Sequence, residues 1–251
     1  MKPSAQRGLS FCGRTALVTG GNSGIGLAIC QSLLAQGARV IAAGLDPVER
    51  SHPLLTSVVA DLSTAAGIAD LTAIAQEPGI DILVNNAGVV RNTLLADVDD
   101  AEFDLMMNLH VRCAMQLAQA CAPHMKAQHF GRIVNVASRA IVGLAGRTAY
   151  GASKAALAAM TRTWALELGP CGITVNTVSP GPTLTDMLAR DFPEHSERAR
   201  ALAASLPARR LGLPEDVARA VLFFADPASS WITGQNLFVC GGGSLAASLA
   251  L

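Results

Sequence analysis

A tyrosine and a lysine four residues apart form a pair that could transfer a proton. Tyr150 and Lys154 lie in a segment whose pattern predicts a helix, and their spacing places both side chains on one helical face. A phenol with a pKa of about 10 is a poor base at neutral pH, so its pKa must fall by about two to three, a change worth roughly 3 to 4 kcal/mol. An ammonium about 4 Å away supplies about 4 kcal/mol at an effective dielectric constant near ~20. Lys154 is therefore sufficient in magnitude to activate Tyr150.

A serine and a glycine-rich turn add two further functions. Ser138 directly follows an apolar run at residues 133–137, where its hydroxyl can donate to a substrate oxygen as charge develops on that oxygen. Upstream, the sequence TGGNSGIG at residues 19–26 joins an apolar run to a segment with a helical pattern. Glycines at a helix N-terminus let backbone N–H groups approach a pyrophosphate closely. The order predicts a phosphate-binding turn followed by proton chemistry.

The elements that position these residues follow from alternating short apolar runs and longer amphipathic segments. This pattern predicts one α/β domain over residues 1–251, with a doubly wound, seven-stranded parallel sheet of the Rossmann type and helices on both faces. Strands are expected at residues 15–19, 39–43, 57–60, 81–85, 132–137, 174–179 and 236–239. Helices are expected at residues 25–36, around 102–128, and from Tyr150 to about Leu168. The segment between the second and third strands carries two prolines, which predicts a loop or a single turn.

These motifs resemble the short-chain dehydrogenase/reductase family over nearly the whole chain. The family has a TGxxxGxG motif and an active site of Asn, Ser, Tyr and Lys, which Asn108, Ser138, Tyr150 and Lys154 match in order. The resemblance implies an oxidoreductase in which hydride moves to or from a nicotinamide while Tyr150 exchanges the proton. It further implies that Asn108 holds a water that relays protons from Lys154 to solvent. Lys154 is also expected to bond the nicotinamide ribose hydroxyls.

The resemblance also implies a set of cofactor contacts. The glycine turn meets the pyrophosphate, Asp61 and Leu62 hold the adenine ring, and the NNAG motif at residues 85–88 lies beside the adenosine. A PG motif after the sixth strand holds the nicotinamide carboxamide, and Thr185 matches the threonine of that motif. The expected cofactor contacts are Gly20, Asn22, Ser23, Gly24, Ile25, Gly26, Asp46, Asp61, Leu62, Asn85, Ala87, Gly88, Tyr150, Lys154, Pro180, Gly181, Thr183 and Thr185. No metal ligand is expected.

The choice between NAD and NADP depends on the residues that meet the ribose 2′ position. The position that is usually acidic in NAD enzymes is Gly44, and the next one, where NADP enzymes carry an arginine, is Leu45. Ser23 stands where NADP enzymes often have a basic residue. Asp46 could bend back toward the ribose and repel a 2′-phosphate. NAD is therefore favoured over NADP, and Arg50 is the residue most able to reverse this preference.

The expected substrate pocket is largely apolar. It should be lined by the segment after the NNAG motif and by residues 139–148 and 184–206. Arg139 and Arg147 could meet a carboxylate or a phosphate, or face solvent. A sugar would need more hydrogen-bonding side chains. An apolar secondary alcohol or a β-hydroxyacyl compound is the expected substrate. The alternatives are an NADPH-dependent 3-ketoacyl reductase and a non-catalytic, dinucleotide-binding redox sensor, and the complete catalytic set argues against the sensor.

Composition narrows the remaining possibilities. The chain has 51% hydrophobic residues, 15% charged residues and a formal net charge of zero, which predicts a large core and no nucleic-acid partner. The segment from Met1 to Arg14 lacks an apolar leader region, and no apolar run is long enough to span a membrane, so a cytoplasmic protein is expected. The six cysteines lack the spacing of a zinc site, which favours reduced core thiols. A packing role is expected for His110.

A homotetramer is the expected assembly. The helices around residues 102–128 and 150–168 are rich in Ala, Met and Leu, and family members pack the corresponding helices in pairs across a two-fold axis. The C-terminal residues, 246–251, are apolar and are expected to pack against a neighbouring subunit.

Overall fold

The computed structural model describes residues 10–77 and 79–245, which form a seven-stranded parallel sheet. The spatial order of the strands is β3-β2-β1-β4-β5-β6-β7, and every neighbouring pair is parallel. The order reverses between β1 and β4, which is the switch point where open α/β sheets bind ligands at the carboxyl ends of their strands. The strands are β1 (Thr15–Thr19), β2 (Arg39–Gly44), β3 (Leu55–Val59), β4 (Ile82–Asn85), β5 (Gly131–Val136), β6 (Ile173–Pro180) and β7 (Asn236–Val239).

Helices cover both faces of the sheet, so the predicted doubly wound fold is confirmed. Alternate residues of β1 point to opposite faces, because side chains alternate along a strand. Leu17 packs in the core cluster that includes residues of α2, α4 and α5, whereas Ala16 and Val18 pack with α1 and α8. The α-helices are α1 (Gly24–Ala35), α2 (Ala65–Gln76), α3 (Asp100–Met106), α4 (Cys113–Ala127), α5 (Thr148–Leu168), α6 (Asp186–Asp191), α7 (Glu197–Ser205) and α8 (Pro214–Ala225).

The edge strand β3 departs furthest from the prediction. It begins at Leu55 rather than at residue 57, because Thr56 and Ser57 are exposed and leave little apolar signal. The segment between β2 and β3 contains no helix, as predicted. It is fastened to the sheet where the Val48 N–H donates to Ser57 Oγ at 2.9 Å, and the Val48 side chain packs against the core.

The long helix expected around residues 102–128 is interrupted. A π-turn at Met107–Arg112 lies between α3 and α4, and the Cys113 N–H bonds to the Asn108 carbonyl. A π-turn inserts one extra residue into a helix and is common at functional sites. Composition and spacing gave no sign of it. Asn108 and His110 therefore lie on an interruption that aims them differently from a regular helix.

Two expectations, on the N-terminal leader and on the apolar C-terminus, concern residues that the structure largely does not describe. Most of the segment expected to lack a leader lies outside the described residues, and so does the apolar C-terminus at 246–251. Across residues 10–77 and 79–245, no helix is both long and apolar enough to cross a membrane. Within the same ranges, no group of three or more His, Cys, Asp or Glu side chains could hold a metal ion.

Candidate functional site

The turn between β1 and α1 is shaped to receive a phosphate. Gly20 and Gly24 have φ angles of +64° and +50°, which side chains rarely adopt. A Cβ on Gly26 would collide with the Gly20 carbonyl, so glycine is required there as well. Ser23, the N-cap of α1, makes no side-chain capping hydrogen bond. The first N–H groups of α1 thus remain available to a pyrophosphate, which fits a dinucleotide.

The turn after β4 is fastened to this glycine loop. Thr19 Oγ1 accepts hydrogen bonds from the N–H groups of Asn86 and Ala87, each at 3.0 Å. Asn86 Nδ2 donates to the carbonyls of Thr19 at 2.9 Å and Gly20 at 3.3 Å. Asn86 belongs to the NNAG motif that was expected beside the adenosine, although it was not among the expected cofactor contacts. Asn86 positions the phosphate loop against the neighbouring strand end.

Asn85 braces the sheet rather than facing the crevice with its side chain. Its Nδ2 donates to Asn135 Oδ1 at 2.8 Å, and Asn135 Nδ2 donates to Thr161 Oγ1 at 2.8 Å. The chain continues to the Thr177 hydroxyl at 2.7 Å. Asn85 Oδ1 is buried and has no hydrogen-bond partner among the described residues. This polar chain ties β4, β5 and β6 to the catalytic helix α5.

The ribose end of the crevice is built around Gly44. A Cβ on Gly44 would collide with the amide of Asn22, so the Asn22 side chain occupies the space that an acidic residue at position 44 would need. Leu45 and Asp46 are exposed in the following loop. Asp61 accepts hydrogen bonds from the Ser63 hydroxyl and N–H, and these bonds lower the pKa of its carboxyl. Leu62 beside it is buried.

The segment that carries the PG motif, residues 180–185 at the end of β6, lies across the crevice from the glycine loop. A Cβ on Gly24 would lie 3.1 Å from Thr185 Cγ2, which shows how near the two segments are. Thr185 caps α6 by accepting from the Leu188 N–H at 3.3 Å. Thr183 is buried, and its hydroxyl donates to the Gly181 carbonyl at 3.0 Å. The structure thus brings the expected phosphate and carboxamide segments to one crevice.

Ser138, Tyr150 and Lys154 converge at the carboxyl end of β5. Ser138 follows β5 and caps the short 3₁₀ turn Arg139–Val142, and its side chain lies near the Tyr150 phenol. Lys154 is 3% exposed, and its Nζ donates to the Val136 carbonyl at 2.9 Å. That Nζ lies 6.0 Å from the centroid of the Tyr150 ring. The predicted helix, α5, therefore does place both side chains on the face that meets β5.

The simple electrostatic pairing of Lys154 with Tyr150 is corrected by the structure. Burial raises the pKa of Tyr150, and the Ser138 hydrogen bond and the Arg147 charge oppose that rise. Burial also lowers the pKa of Lys154 to about 7. A lysine that is buried and directed at a carbonyl carries its charge weakly near neutral pH. In the chain by itself, Lys154 does not produce the lowered phenol pKa that the sequence argument expected.

Asn108 and His110 approach α5 from the π-turn, which packs against that helix. Asn108 is half-buried, and its carbonyl accepts from Cys113. His110 is buried, as a packing residue would be, and it is also hydrogen-bonded to Val89 and Ser153. The two-residue spacing of Asn108 and His110 does not predict these hydrogen bonds, because the π-turn changes which residues share a helical face.

The two candidate arginines behave differently. Arg139 donates to the Gly243 carbonyl at 3.2 Å, which directs it toward the C-terminal segment. Arg147 donates to the Arg91 carbonyl at 3.1 Å, and its guanidinium carbon lies 5.8 Å from the Tyr150 ring centroid. Arg147 is thus the closer of the two to the reacting group.

Comparison with known proteins identifies the family of this chain. Residues 20–244 match the family model adh_short_C2, described as enoyl-(acyl carrier protein) reductase. A solved structure described as a short-chain dehydrogenase/reductase family protein superimposes with a TM-score of 0.85 at 42% identity, over 94% of this chain and 99% of that one. The chain belongs to the short-chain dehydrogenase/reductase family. As a member of the family, it is an oxidoreductase that uses a nicotinamide dinucleotide.

Other members of the family are similar over almost their whole length. The (2S)-[(R)-hydroxy(phenyl)methyl]succinyl-CoA dehydrogenase subunit BbsD of Thauera aromatica is 39% identical, over 92% of this chain and 97% of that protein. The 3-oxoacyl-[acyl-carrier-protein] reductase FabG of Vibrio cholerae is 37% identical over the same two fractions. A solved structure described as an NAD(P)-dependent gluconate 5-dehydrogenase from Beutenbergia cavernae, with NADP bound at low occupancy, has a TM-score of 0.86 at 35% identity, covering 96% of this chain and 100% of that one.

Proposed function

We propose that this short-chain dehydrogenase/reductase interconverts a β-hydroxyacyl compound and its β-ketoacyl counterpart, with Tyr150 as the acid/base. The observation that carries the proposal is the convergence of Ser138, Tyr150 and buried Lys154 at the crevice faced by the glycine loop. One relative is named for a hydroxylated succinyl-CoA and another for a 3-oxoacyl chain on acyl carrier protein. Both names pair an oxygen function with an acyl group.

Each catalytic residue has a distinct part in the proposed reaction. The Tyr150 hydroxyl takes the proton of the substrate alcohol or gives a proton to the ketone oxygen. Ser138 donates to the same oxygen and stabilises the charge that develops there. Lys154 would hold the next proton of the relay and contact the ribose hydroxyls of a bound cofactor. Asn108 would hold the water that connects Lys154 to solvent. A bound nicotinamide dinucleotide supplies or accepts the hydride.

The pKa values of the chain alone favour a neutral phenol, which suits ketone reduction. A protonated Tyr150 is ready to donate to the ketone oxygen, whereas alcohol oxidation needs the phenolate. Burial raises the pKa of Tyr150, so oxidation requires additional positive charge near the phenol. The oxidised cofactor carries such a charge. We therefore expect oxidation to be favoured only at higher pH.

The remaining contacts of the proposed cofactor site follow the shape of the crevice. The glycine loop, with Gly20, Asn22, Ser23, Gly24, Ile25 and Gly26, would hold the pyrophosphate and adenosine ribose. Asp61 and Leu62 would flank the adenine, and Ala87 and Gly88 would border the adenosine. Pro180, Gly181, Thr183 and Thr185 would meet the carboxamide. The glycine conformations and the uncapped start of α1 support this arrangement.

We further propose that NAD is preferred over NADP, by roughly tenfold to a hundredfold in kcat/KM, or about 1.4 to 2.7 kcal/mol. Ser23, Gly44 and Leu45 offer no cation to a 2′-phosphate. The Asn22 amide beside Gly44 can bond a ribose hydroxyl, and exposed Asp46 adds negative charge to the same loop. The neighbour with bound NADP favours NADP as the cofactor, and the relative named 3-oxoacyl-[acyl-carrier-protein] reductase favours the alternative, an NADPH-dependent 3-ketoacyl reductase.

Initial rates with a matched substrate panel test both proposals. Acetoacetyl-CoA, a simple methyl ketone of similar length and gluconate would be assayed with NADH or NADPH, or with their oxidised forms. We expect kcat/KM to be at least about tenfold higher for the thioester than for the other compounds, because only the thioester offers the acyl group. Faster turnover of gluconate would contradict the substrate class.

A double substitution tests the cofactor assignment. Asp46→Ala with Leu45→Arg removes a repulsive carboxylate and adds a ligand for the 2′-phosphate, so the preference should move toward NADPH. If the wild type already prefers NADPH, the NAD assignment is wrong and Arg50 becomes the leading phosphate ligand. If the preference is unchanged, the loop does not reach the ribose. Cofactor binding without turnover of any compound in the panel would favour the redox sensor.

A further inference from the structure

His110 is a buried titratable side chain that the reaction above does not use. It lies on the π-turn and is 2% exposed. The Val89 N–H donates to His110 Nε2 at 3.1 Å. A ring nitrogen that accepts carries no proton, so the proton of the neutral ring is on Nδ1. Nδ1 lies 2.8 Å from Ser153 Oγ and therefore donates to it.

The hydrogen bonds of His110 continue into the catalytic helix, α5. Ser153 Oγ donates in turn to the Tyr150 carbonyl at 2.9 Å. The imidazole also packs edge-to-face against the Tyr150 ring, with 5.7 Å between centroids. It borders Lys154 as well, since a Cβ on Gly88 would lie 2.9 Å from His110 Nε2 and 3.2 Å from Lys154 Nζ. One ring thus touches the loop after β4 and the turn of α5 that carries the acid/base pair.

The charge state of His110 is compatible with this arrangement. Burial and the neighbouring charge of Lys154 lower the pKa of His110 well below its ordinary value. A neutral imidazole does not compete with Lys154 for positive charge, whereas an imidazolium would repel a lysine whose pKa burial already lowers to about 7.

We propose that His110 is a positioning residue that links the loop after the NNAG motif to the catalytic turn of α5. As the Nδ1–H tautomer it holds the Val89 N–H on one side and Ser153 on the other, and it thereby sets the distance between the cofactor crevice and Tyr150. The inference rests on the proposed function, in which Tyr150 and Lys154 are the acid/base pair.

Two amide substitutions separate the two hydrogen bonds. Asparagine can place an NH₂ group near the position of Nδ1, so His110→Asn keeps the donor to Ser153 and loses the acceptor for Val89. Glutamine can place an oxygen near Nε2, so His110→Gln keeps the acceptor and loses the donor. His124→Asn is the matched control, because His124 bonds Asp81, which precedes β4 at the amino ends of the strands, opposite the crevice.

The measurements are cofactor Kd by fluorescence titration without turnover, kcat with its pH profile, and the isotope effect with deuterated cofactor. For His110→Gln we expect kcat to fall at least about tenfold, with a larger isotope effect and a smaller change in Kd. For His110→Asn we expect the larger change in cofactor Kd, about fivefold or more. Equal losses in both variants, with an unchanged pH profile, would show that the ring only fills space and would overturn the proposal.

Ser153→Ala provides the second test, because it cuts the same link from the other side. In the His110→Gln/Ser153→Ala double variant, the loss in kcat should not exceed that of the worse single variant. A loss in kcat of the double variant equal to the product of the two single losses would overturn the proposed link between His110 and Ser153. If circular dichroism shows that neither His110→Asn nor His110→Gln folds, a wild-type kcat in Ser153→Ala overturns the positioning role of His110. Active Tyr150→Phe would defeat the proposed function instead, whereas inactive Tyr150→Phe with wild-type kcat in His110→Gln defeats only the positioning role.

Discussion

At the residue scale, the burial of Lys154 should appear in the pH dependence of stability. The pKa of Lys154 is lowered to about 7 in the folded chain, from 10.5 when unperturbed. Between these values the unfolded state binds more protons, so this group makes the free energy of unfolding rise with pH. We expect Lys154→Met to be more stable than the wild type at pH 6 and to lose that advantage by pH 10, measured by urea unfolding without cofactor. Lys126→Met, at an exposed lysine, is the control. An equal stability difference at both pH values would contradict the burial argument.

Lys154→Ala adds a functional prediction at the same residue. If the ammonium serves both the phenol and the ribose hydroxyls, the substitution should lower kcat and also weaken cofactor binding. Initial rates and a fluorescence titration measure the two effects separately. An unchanged cofactor Kd would remove the contact of Lys154 with the ribose.

At the element scale, Asn86 joins the glycine loop to the end of β4 through two carbonyls. Asn86→Ala leaves both carbonyls without this donor, at a cost of about 1 to 2 kcal/mol, so we expect cofactor Kd to rise by about tenfold or more. Calorimetric titration measures the change. Gln235→Ala removes an exposed amide beside the edge strand β7 and should leave Kd unchanged. A wild-type Kd for Asn86→Ala would mean that the loop holds its shape without this brace.

At the scale of the whole molecule, we propose that the chain forms a homotetramer. Trp231 is 98% exposed and Leu166, on α5, is 81% exposed, and large apolar side chains on a surface often mark interfaces. Light scattering at micromolar protein should return four times the 25.9 kDa chain mass. Leu166→Glu should shift the mass toward smaller species, while Leu95→Glu, at another exposed leucine, serves as the control. A monomer mass for the wild type would contradict the assembly.

Local sequence patterns predict much of the fold and of the catalytic set. The spacing of Tyr150 and Lys154 predicts one helical face because helix periodicity is a local property, and α5 has that face. Alternating apolar runs predict the buried strands for the same reason. The exposed edge strand β3 was displaced in the prediction because its residues lack that apolar pattern. The glycine motif identified its loop because its conformations exclude side chains.

Long-range contacts account for what the sequence could not predict. The π-turn that carries Asn108 and His110 packs against α5, and no local pattern encodes that contact. The links from Asn86 to Gly20 and from His110 to Val89 join residues that are distant along the chain. The lowered pKa predicted for the Tyr150 phenol does not hold in the chain by itself, because burial, which depends on the whole fold, outweighs a pairing inferred from spacing.

Replacement of Tyr150 by phenylalanine tests the central claim most directly. Tyr150→Phe removes only the hydroxyl that exchanges a proton with the substrate and leaves the glycine loop intact. We predict that turnover is abolished while cofactor Kd stays within a few fold of the wild type, as measured by steady-state kinetics and by fluorescence titration of the same preparation. A variant that keeps more than about a tenth of the wild-type kcat would contradict the assignment of Tyr150 as the acid/base.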